Sequence, residues 1–361
     1  MAIKFYTLKI ADIKQETIDT VSISFEIPQE LIDIFTYRAG QYITIKVPIN
    51  GEESRRAYSL SSTPNENYLT ITVKKVDEGK VSNYVNNVLK IGDSVEVMPP
   101  LGNFTIECNP NETKYYLLIG GGSGITPLMS IIKTVLAQEP QSKITLLYQN
   151  RNQETIIFKK ELEQLTAEFN DKFTVIHYLS KDNSNYTTNN SRLDSIKILH
   201  HIKDITGDNL YKAEFYICGP QGLMSESDLA LKNLLIASYK VHKENFTAAL
   251  DSNKEDREDI ILDNDEELID RKVKVYLYGE EFEAIVAPDE TILSAGLREG
   301  FDPPFSCQIG VCSTCRARLK SGKVYMDERD SLTDDDIDEG YILTCQAHPL
   351  TDDVVVDYDD N

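Results

Sequence analysis

The stretch CQIGVCSTC, residues 307–315, holds three of the six cysteines in the chain. Their spacing is C-x4-C-x2-C, and a fourth cysteine follows in GYILTCQ. Two bridged irons need four thiolates, and in the plant-type [2Fe–2S] arrangement three come from one tight loop and the fourth from elsewhere. Gly310 inside the loop can take a positive φ and let backbone amides approach the sulfides. The predicted cluster ligands are Cys307, Cys312, Cys315 and Cys345.

Zinc is the alternative occupant of these four thiols. Structural zinc sites favour two close C-x2–4-C pairs, and here only one of the two halves contains such a pair. The spacing therefore favours the iron–sulfur cluster over zinc. Cys108 and Cys218 lie outside the cysteine loop, and the simplest interpretation of each is a small buried apolar residue.

Composition limits the class of protein. A chain of 361 residues predicts two or three domains, and 41% hydrophobic with 27% charged residues is typical of globular proteins. The net charge of −22 disfavours nucleic acid as a partner, because phosphate neutralisation needs Lys and Arg. The same charge suits either a basic protein partner or an ordinary solvated surface.

Neither export nor membrane insertion is expected. MAIKFYTLKI at the start has neither the basic region nor the apolar core of a signal peptide. The apolar stretch at 115–136 is interrupted by glycines, a proline and a lysine, which indicates a buried strand followed by a helix. Clustered thiols in a cytoplasmic protein indicate metal or redox chemistry rather than disulfides.

The pattern of apolar residues changes along the chain. Residues 1–106 contain five short alternating runs between turn residues, at 5–10, 21–25, 42–47, 69–76 and 94–97, which predict an antiparallel β-barrel. Residues 107–250 alternate apolar strands with helices that begin near 126, 154, 192 and 221, which predicts a parallel α/β nucleotide domain. Residues 251–270 carry ten acidic residues and are interpreted as an extended, flexible linker. Residues 271–361 form the third domain, with a hairpin at Gly279, a short helix and the cysteine loop.

Two segments of the barrel fit a flavin. In RAYSLSS, residues 56–62, a cation, an aromatic ring and a hydroxyl follow one another, and Arg56 and Tyr58 share a face of a strand while Ser59 points the other way. In GKVSNYV, residues 79–85, Gly79 to Ser82 open a short helix whose free N–H groups can face a pyrophosphate. Either segment alone also fits an ordinary structural element.

Two glycine-containing turns fit a nicotinamide nucleotide. GGGSGITP, residues 120–127, follows a strand and leads into a helix with Pro127 near its first turn, where backbone can approach a pyrophosphate. It departs from the G-x-G-x-x-G fingerprint. CGPQGLM, residues 218–224, is a second strand end, and its structural alternative is a plain Gly-Pro turn.

Together these motifs resemble known families. PPFSCQIGVCSTC with GYILTCQ resembles a plant-type ferredoxin domain, which implies an α+β β-grasp fold, and the upstream motifs resemble ferredoxin-reductase-type flavoproteins. The resemblance implies FAD, with FMN as the alternative. The flavin contacts it implies are Arg56, Ala57, Tyr58, Ser59, Val73, Lys74, Gly79, Lys80, Val81 and Ser82. The nicotinamide contacts it implies are Gly121, Gly122, Gly124, Thr126, Pro127, Cys218, Gly219 and Pro220.

The same resemblance implies roles for individual residues. It places Ser59, Thr126 and Cys218 at the point of hydride transfer, with Phe246 close to the flavin ring and Glu244 beside it. Arg151 follows the second strand of the nucleotide domain, where a 2′-phosphate would be read, and the neighbouring Asn150 is not the acidic residue that favours NADH. NADPH is therefore expected, with NADH and a solvated surface arginine as the alternatives.

The order of domains resembles the reductase components of multicomponent oxygenases, including those of phenylacetyl-CoA epoxidase, steroid hydroxylases and desaturases. This implies electron transfer from NAD(P)H through FAD and the [2Fe–2S] cluster to an oxygenase partner, with the acidic linker letting the ferredoxin domain visit both. One alternative is a general ferredoxin or flavin reductase. The other is a non-enzymatic metal-binding or sensor module.

Overall fold

The computed structural model describes residues 4–181, 186, 189–246, 268–329 and 331–360. These form two compact units, residues 5–246 and a C-terminal unit that contains residues 268–360. Residues 251–267 of the predicted linker lie outside the described residues, so the linker remains a prediction. Within the described residues, every helix is too short or too polar to cross a bilayer.

The first unit begins with a six-stranded antiparallel barrel. Its strands are β1 (Tyr6–Thr17), β2 (Thr20–Glu26), β3 (Tyr42–Ile49), β4 (Glu52–Ser59), β5 (Leu69–Lys74) and β6 (Ser94–Leu101). They pair in the order β4-β3-β6-β1-β2-β5, and a bridge between Leu60 and Ile71 joins the two outer strands. Alternate apolar side chains such as Leu8, Ile23 and Ile45 are fully buried inside. Helix α1 (Lys80–Asn87) follows β5.

A parallel sheet follows the barrel in the same unit. Its strands are β7 (Tyr115–Gly121), β8 (Lys143–Asn150), β9 (Phe173–Leu179), β10 (Ala213–Gly219) and β11 (Val241–Asn245), in the order β11-β10-β7-β8-β9. Its helices are α2 (Ile125–Gln138), α3 (Lys159–Glu168), α4 (Ser195–Thr206) and α5 (Gln221–Asn233). Tyr116 and Leu118 of β7 pack into one core, and Leu117 and Ile119 into another, as expected for a parallel sheet covered on both faces.

Barrel and sheet share a core. Ala39, Phe104 and Ile106 of the barrel region pack into the cluster that contains helix α2. The Ser130 hydroxyl of α2 donates a 2.6 Å hydrogen bond to the Ser62 carbonyl, just beyond β4. These contacts hold the segment after β4 against helix α2 of the parallel sheet.

The C-terminal unit is a mixed sheet with two short helices. Its strands are β12 (Arg271–Leu277), β13 (Glu280–Val286), β14 (Arg316–Ser321), β15 (Val324–Met326), β16 (Tyr341–Leu343), β17 (Ala347–Pro349) and β18 (Val355–Asp357). Five pair in the order β13-β12-β18-β14-β16, and β15 pairs with β17. Its helices are α6 (Ile292–Arg298) and α7 (Asp334–Asp338). All three expected fold classes, barrel, parallel sheet and ferredoxin domain, are confirmed.

Two local expectations differ from the structure. The helix expected from 154 begins at Lys159, because Asn152 caps a separate 3-10 turn and Phe158 has a left-handed φ of 60°. The five alternating runs predicted as strands in residues 1–106 do not include β4. Its charged sequence, EESRRAYS, lacks the apolar alternation by which the other strands were predicted. Its pairing with the apolar β3 positions it instead.

Candidate active site and cluster ligands

Ser59, Cys218 and Glu244 meet where the barrel joins the nucleotide sheet. Ser59 is the buried last residue of β4, and its hydroxyl donates a 3.0 Å hydrogen bond to the Glu244 carboxylate on β11. Cys218 on β10 is the direct neighbour of Glu244 in the parallel register and is completely buried. The strand ends of both domains therefore bring a hydroxyl, a thiol and a carboxyl group together.

The environment of this trio favours neutral side chains. Burial raises the pKa of Glu244 to about 8, although the Ser59 hydrogen bond lowers it. Burial, and then the charge of Glu244, raise the pKa of the Cys218 thiol well above its ordinary value. At neutral pH the carboxyl group is therefore mostly protonated and the thiol keeps its proton. Such a site excludes fixed negative charge from the place where electrons would arrive.

The two glycine-containing turns of the nucleotide domain pack backbone against backbone. A Cβ at Gly124 would lie 2.1 Å from the Cys218 carbonyl oxygen, and one at Gly121 would lie 2.7 Å from Cδ of Pro220. A Cβ at Gly219 would meet the Gly121 nitrogen at 3.0 Å. Side chains at these positions would force the two turns apart. The glycines thus let the carboxyl ends of β7 and β10 approach closely, at the edge where nucleotides bind in this class of sheet, and their contact with a nucleotide stays a prediction.

Gly122 and the start of helix α2 face open space. Gly122 has a φ of 54°, and nothing lies within 4 Å of its Cβ position. Helix α2 has no side-chain cap, but the Ile125 N–H is already bonded to the Gly122 and Ser123 carbonyls, and Pro127 has no N–H. A pyrophosphate at this helix end would therefore meet the open backbone at Gly122 rather than a full turn of free N–H groups.

Thr126 and Pro127 are buried in the first turn of α2. The Thr126 hydroxyl donates to the Ser123 carbonyl at 3.0 Å, and the side chain is 2% exposed. In the structure, the Thr126 hydroxyl therefore stabilises the turn at residues 120–124. A direct contact with the nicotinamide stays a prediction.

The exposure of the residues at the end of β4 falls from 56 to 59, and the predicted contacts of these residues with a flavin stay a prediction. Arg56 is exposed, Ala57 and Tyr58 are half-buried, and Ser59 is buried. Arg56 is close enough to Tyr58 for its charge to lower the pKa of that phenol, although burial raises it more. A cation and an aromatic ring on one face fit a flavin phosphate and ring.

The predicted flavin contacts on β5 and α1 divide into two groups. Val73 and Val81 are buried in the barrel core, so their side chains are committed to packing. Lys74 pairs with Asp19 at 3.6 Å, while Lys80 is exposed.

The turn into α1 is tied down by one hydroxyl. Ser82 accepts a 3.1 Å hydrogen bond from the Val76 N–H and donates to the Gly79 carbonyl at 3.4 Å. Helix α1 has no side-chain cap, which leaves its first N–H groups free for a pyrophosphate.

Arg151 lies at the carboxyl end of β8 beside a second cation. Both Arg151 and Lys181 are exposed, and the Lys181 N–H donates to the Arg151 carbonyl at 2.8 Å. Sequence reasoning missed Lys181, because it follows β9 and only the pairing of β8 with β9 brings it to Arg151. The sequence signal that could have identified Lys181 is a basic residue just after β9, the strand that follows β8 along the chain.

Phe246 follows β11 and packs, half-buried, against the core next to α2. It comes two residues after Glu244, at the same strand end that carries the trio. Its contact with a flavin ring stays a prediction.

The four predicted cluster ligands converge in the C-terminal unit. All four are buried, the Sγ atoms of Cys307 and Cys312 are 3.2 Å apart, and Cys345 shares hydrogen bonds with Cys307 and Cys315. Sharing protons lowers the pKa of Cys307 and raises the pKa of Cys312 and of Cys345. In the described part of the chain, no three His, Cys, Asp or Glu side chains are poised around a single metal ion. Buried thiols whose protons are coupled in this way need positive charge from a bound metal to ionise together, which fits a metal cluster on these cysteines.

A backbone N–H and a side-chain amide next to these sulfurs supply hydrogen-bond donors. The Ile309 N–H donates to Cys307 Sγ at 3.5 Å, and Gln346 Nε2 donates to Cys345 Sγ at 3.6 Å. Gly310 has a φ of 75°, and a Cβ there would meet Glu328 Cβ at 2.8 Å. Glycine is therefore required for this loop to close. N–H···S bonds of this kind tune the potential of iron–sulfur clusters.

Comparisons with known proteins agree with this geometry. Models of three families match: the oxidoreductase FAD-binding domain over residues 7–106, the oxidoreductase NAD-binding domain over 118–229, and the 2Fe-2S iron-sulfur cluster binding domain over 275–350. The chain therefore binds FAD, a nicotinamide nucleotide and a [2Fe–2S] cluster.

Several relatives match this chain over nearly the whole of both lengths. A component of 1,2-phenylacetyl-CoA epoxidase from Escherichia coli is 35% identical, over 98% of both chains. The ferredoxin reductase component of 3-ketosteroid-9-alpha-monooxygenase from Rhodococcus rhodochrous is 33% identical, over 97% of this chain and 96% of that one. The solved structure of phthalate dioxygenase reductase is 26% identical, covers 98% of each chain and has a TM-score of 0.60. This chain belongs to the family of FAD- and [2Fe–2S]-containing oxidoreductases that serve as reductase components of multicomponent oxygenases.

Proposed function

We propose that this chain is the NADPH-dependent reductase of a phenylacetyl-CoA epoxidase-type oxygenase. The observation that carries the reductase part is the meeting of Ser59, Cys218 and Glu244 at the joint of the two nucleotide-binding domains. Bound FAD supplies the exchange between two-electron and one-electron chemistry, and a bound cluster supplies single-electron transfer. The remaining steps belong to the protein's own side chains.

Ser59, Cys218 and Glu244 hold protons and orient the cleft. The bond to Glu244 fixes the direction of the Ser59 hydroxyl at the end of β4. Neutral Glu244 and Cys218 leave no charge to oppose electron arrival. The close packing of Gly124 on Cys218 excludes water from the floor of the cleft. We assign Ser59, Thr126 and Cys218 to the site of hydride transfer on this basis.

NADPH is the proposed electron source. Arg151 and Lys181 put two cations at the end of β8, where a 2′-phosphate attached to the adenosine ribose would be read. A doubly charged phosphate gains charge-assisted hydrogen bonds from such a pair, whereas a ribose hydroxyl gains little.

The proposed partner class rests on similarity along the full chain. The E. coli relative is a component of phenylacetyl-CoA epoxidase, and the R. rhodochrous relative is a component of 3-ketosteroid-9-alpha-monooxygenase. A steroid monooxygenase is therefore the second candidate partner. We also propose a cytoplasmic location, which is consistent with the six cysteines forming no disulfide within the described residues, and domain boundaries at 106, 250 and 270.

Reconstitution tests the partner. The purified chain is mixed with NADPH, oxygen and either the epoxidase component with phenylacetyl-CoA or the steroid oxygenase with its steroid, and the oxygenated product is measured. The proposal expects product with the epoxidase component, at a rate well above that with the steroid oxygenase. Equal slow rates with both would instead support a general reductase.

A further inference from the structure

A buried tyrosine at the end of β18 reaches the cluster-ligand region of the C-terminal unit. Tyr358 is 5% exposed, and its hydroxyl donates a 2.7 Å hydrogen bond to Oγ1 of Thr344. Thr344 is completely buried and directly precedes the proposed ligand Cys345. The pair therefore joins the last strand of the fold to the segment that carries the fourth cysteine.

Thr344 is also bonded to the segment of the third cysteine. Its hydroxyl donates to the Cys315 carbonyl at 2.9 Å, and its backbone N–H donates to the same oxygen at 3.3 Å. Its own carbonyl accepts from the Leu293 N–H in helix α6 at 3.0 Å. Thr344 thus links the two ligand segments that come from distant parts of the sequence.

The direction of these bonds gives Tyr358 a defined part in the chain. A threonine hydroxyl has one proton, which Thr344 donates to the Cys315 carbonyl, and its lone pairs accept from the Tyr358 phenol. The phenol can act as this donor because it stays protonated at neutral pH. Without the phenol, the buried Thr344 oxygen loses its donor, and only the bond to Cys315 orients its hydroxyl.

We propose that Tyr358 is a positioning residue for the [2Fe–2S] site. Acting through Thr344, it fixes the separation of the Cys315 and Cys345 segments and so slows loss of the cluster. The inference rests on the proposed ligand set Cys307, Cys312, Cys315 and Cys345. It concerns residues outside the cysteine loop, at a distance in sequence that no spacing rule covers.

The test compares hydroxyl deletions with matched controls in the purified holoprotein. Tyr358→Phe and Thr344→Val each remove one hydroxyl, Thr344→Ser keeps it, and Tyr276→Phe removes a partly exposed phenol that bonds Glu281 on β13. The measurement is the rate at which the visible cluster absorbance disappears under an iron chelator. Flavin reduction by NADPH and the low-temperature electron paramagnetic resonance spectrum of the reduced cluster are recorded beside it.

The expected result is faster cluster loss in Tyr358→Phe and Thr344→Val, by about fivefold, the factor for one net hydrogen bond. In Tyr358→Phe and Thr344→Val, flavin reduction stays at the wild-type rate and the resonance lines of the reduced cluster broaden. Thr344→Ser and Tyr276→Phe match the wild type in the rate of cluster loss and in line shape. The double variant is no worse than either single one, because both remove the same chain of bonds. Wild-type loss rates and line shapes in Tyr358→Phe would overturn the inference. A wild-type protein without any cluster would instead overturn the ligand set itself.

Discussion

At the scale of single residues, Glu244 connects the chemistry of the two nucleotide-binding domains. It lies on β11 of the sheet, accepts from Ser59 of the barrel and neighbours Cys218. Its raised pKa results from burial, which disfavours the charged carboxylate. Protonation of Glu244 is therefore coupled to the stability of the contact between the barrel and the parallel sheet.

Stability should depend on pH through Glu244. The folded pKa of about 8 lies above the ordinary value of 4.5, so between these values the folded protein holds a proton that the unfolded chain releases. This contribution is fully present below about pH 4.5 and is lost as the pH rises through 8. We expect the free energy of unfolding of residues 5–246 to fall by about 1 to 3 kcal/mol across this window.

Denaturant titrations that follow flavin release at several pH values measure this decline. Glu244→Gln cannot ionise and should flatten it, while Glu154→Gln, at an exposed position, should leave it as in the wild type. An identical decline in Glu244→Gln would assign the effect to other groups.

Ser59 should control the rate of flavin reduction. Ser59→Ala removes the hydroxyl that bonds Glu244, and we expect flavin reduction by NADPH in stopped flow to slow by roughly 100-fold with FAD content unchanged. Ser61→Ala is the matched control, since its buried hydroxyl bonds Thr72 at 2.9 Å within the barrel and has no contact with Glu244 among the hydrogen bonds described. A rate in Ser59→Ala equal to that in Ser61→Ala would exclude the proposed role.

Arg151 and Lys181 should determine the choice of nucleotide. Replacing either by Ala removes a cation from the proposed phosphate site, and we expect KM for NADPH to rise about tenfold with kcat nearly unchanged. KM for NADH should not change, since it has no 2′-phosphate. Lys160→Ala, at an exposed position of α3, is the control. Equal effects on both nucleotides would show that the pair does not read the phosphate.

At the scale of elements, two turns pack closely where we propose that the nucleotide binds. The segments at the ends of β7 and β10 approach through backbone atoms at Gly124 and Gly219, and Gly121 packs against the Pro220 ring. This arrangement depends on the parallel pairing of β7 with β10, which aligns their carboxyl ends. The cleft is therefore sensitive to a single added methyl group.

Gly124→Ala tests this packing. Its Cβ would lie 2.1 Å from the Cys218 carbonyl oxygen, so the turns must separate, and we expect weaker NADPH binding and slower flavin reduction, each by tenfold or more. Gly222→Ala in α5 adds the same methyl group to open space and should stabilise the helix by about 0.5–1 kcal/mol without changing NADPH binding. Equal NADPH affinity in the two variants would contradict the account of the cleft.

The elements differ in how well their sequence predicts them. β7 and α2 follow from an apolar stretch that glycines interrupt, and the structure has the strand before the glycines and the helix after them. The start of α3 was wrong by five residues, since Asn152 forms a capping box in a separate turn. β4 and the pairing of Lys181 with Arg151 depend on contacts between strands, which no local pattern contains.

At the scale of the whole molecule, the three domain types were predictable because each has a local motif. The cysteine spacing, the glycine turns and the alternating runs each predict one domain, and the family models confirm all three. The trio of Ser59, Cys218 and Glu244 and the bond from Tyr358 to Thr344 join distant segments of the chain. Those contacts could not be predicted from local sequence patterns and became evident only from the fold.

The central claim is that one chain carries electrons from NADPH through FAD to a cluster held by Cys307, Cys312, Cys315 and Cys345. The most direct measurement is an anaerobic titration of the purified protein with dithionite, followed by stopped-flow reduction with NADPH, with flavin and cluster absorbance recorded separately. The account predicts about three electron equivalents per chain, two for a flavin and one for a [2Fe–2S] cluster, with NADPH bleaching the flavin first and the cluster after it. Cys345→Ser should take up about two and keep fast flavin reduction. A cluster that stays oxidised while NADPH reduces the flavin fully would contradict the account.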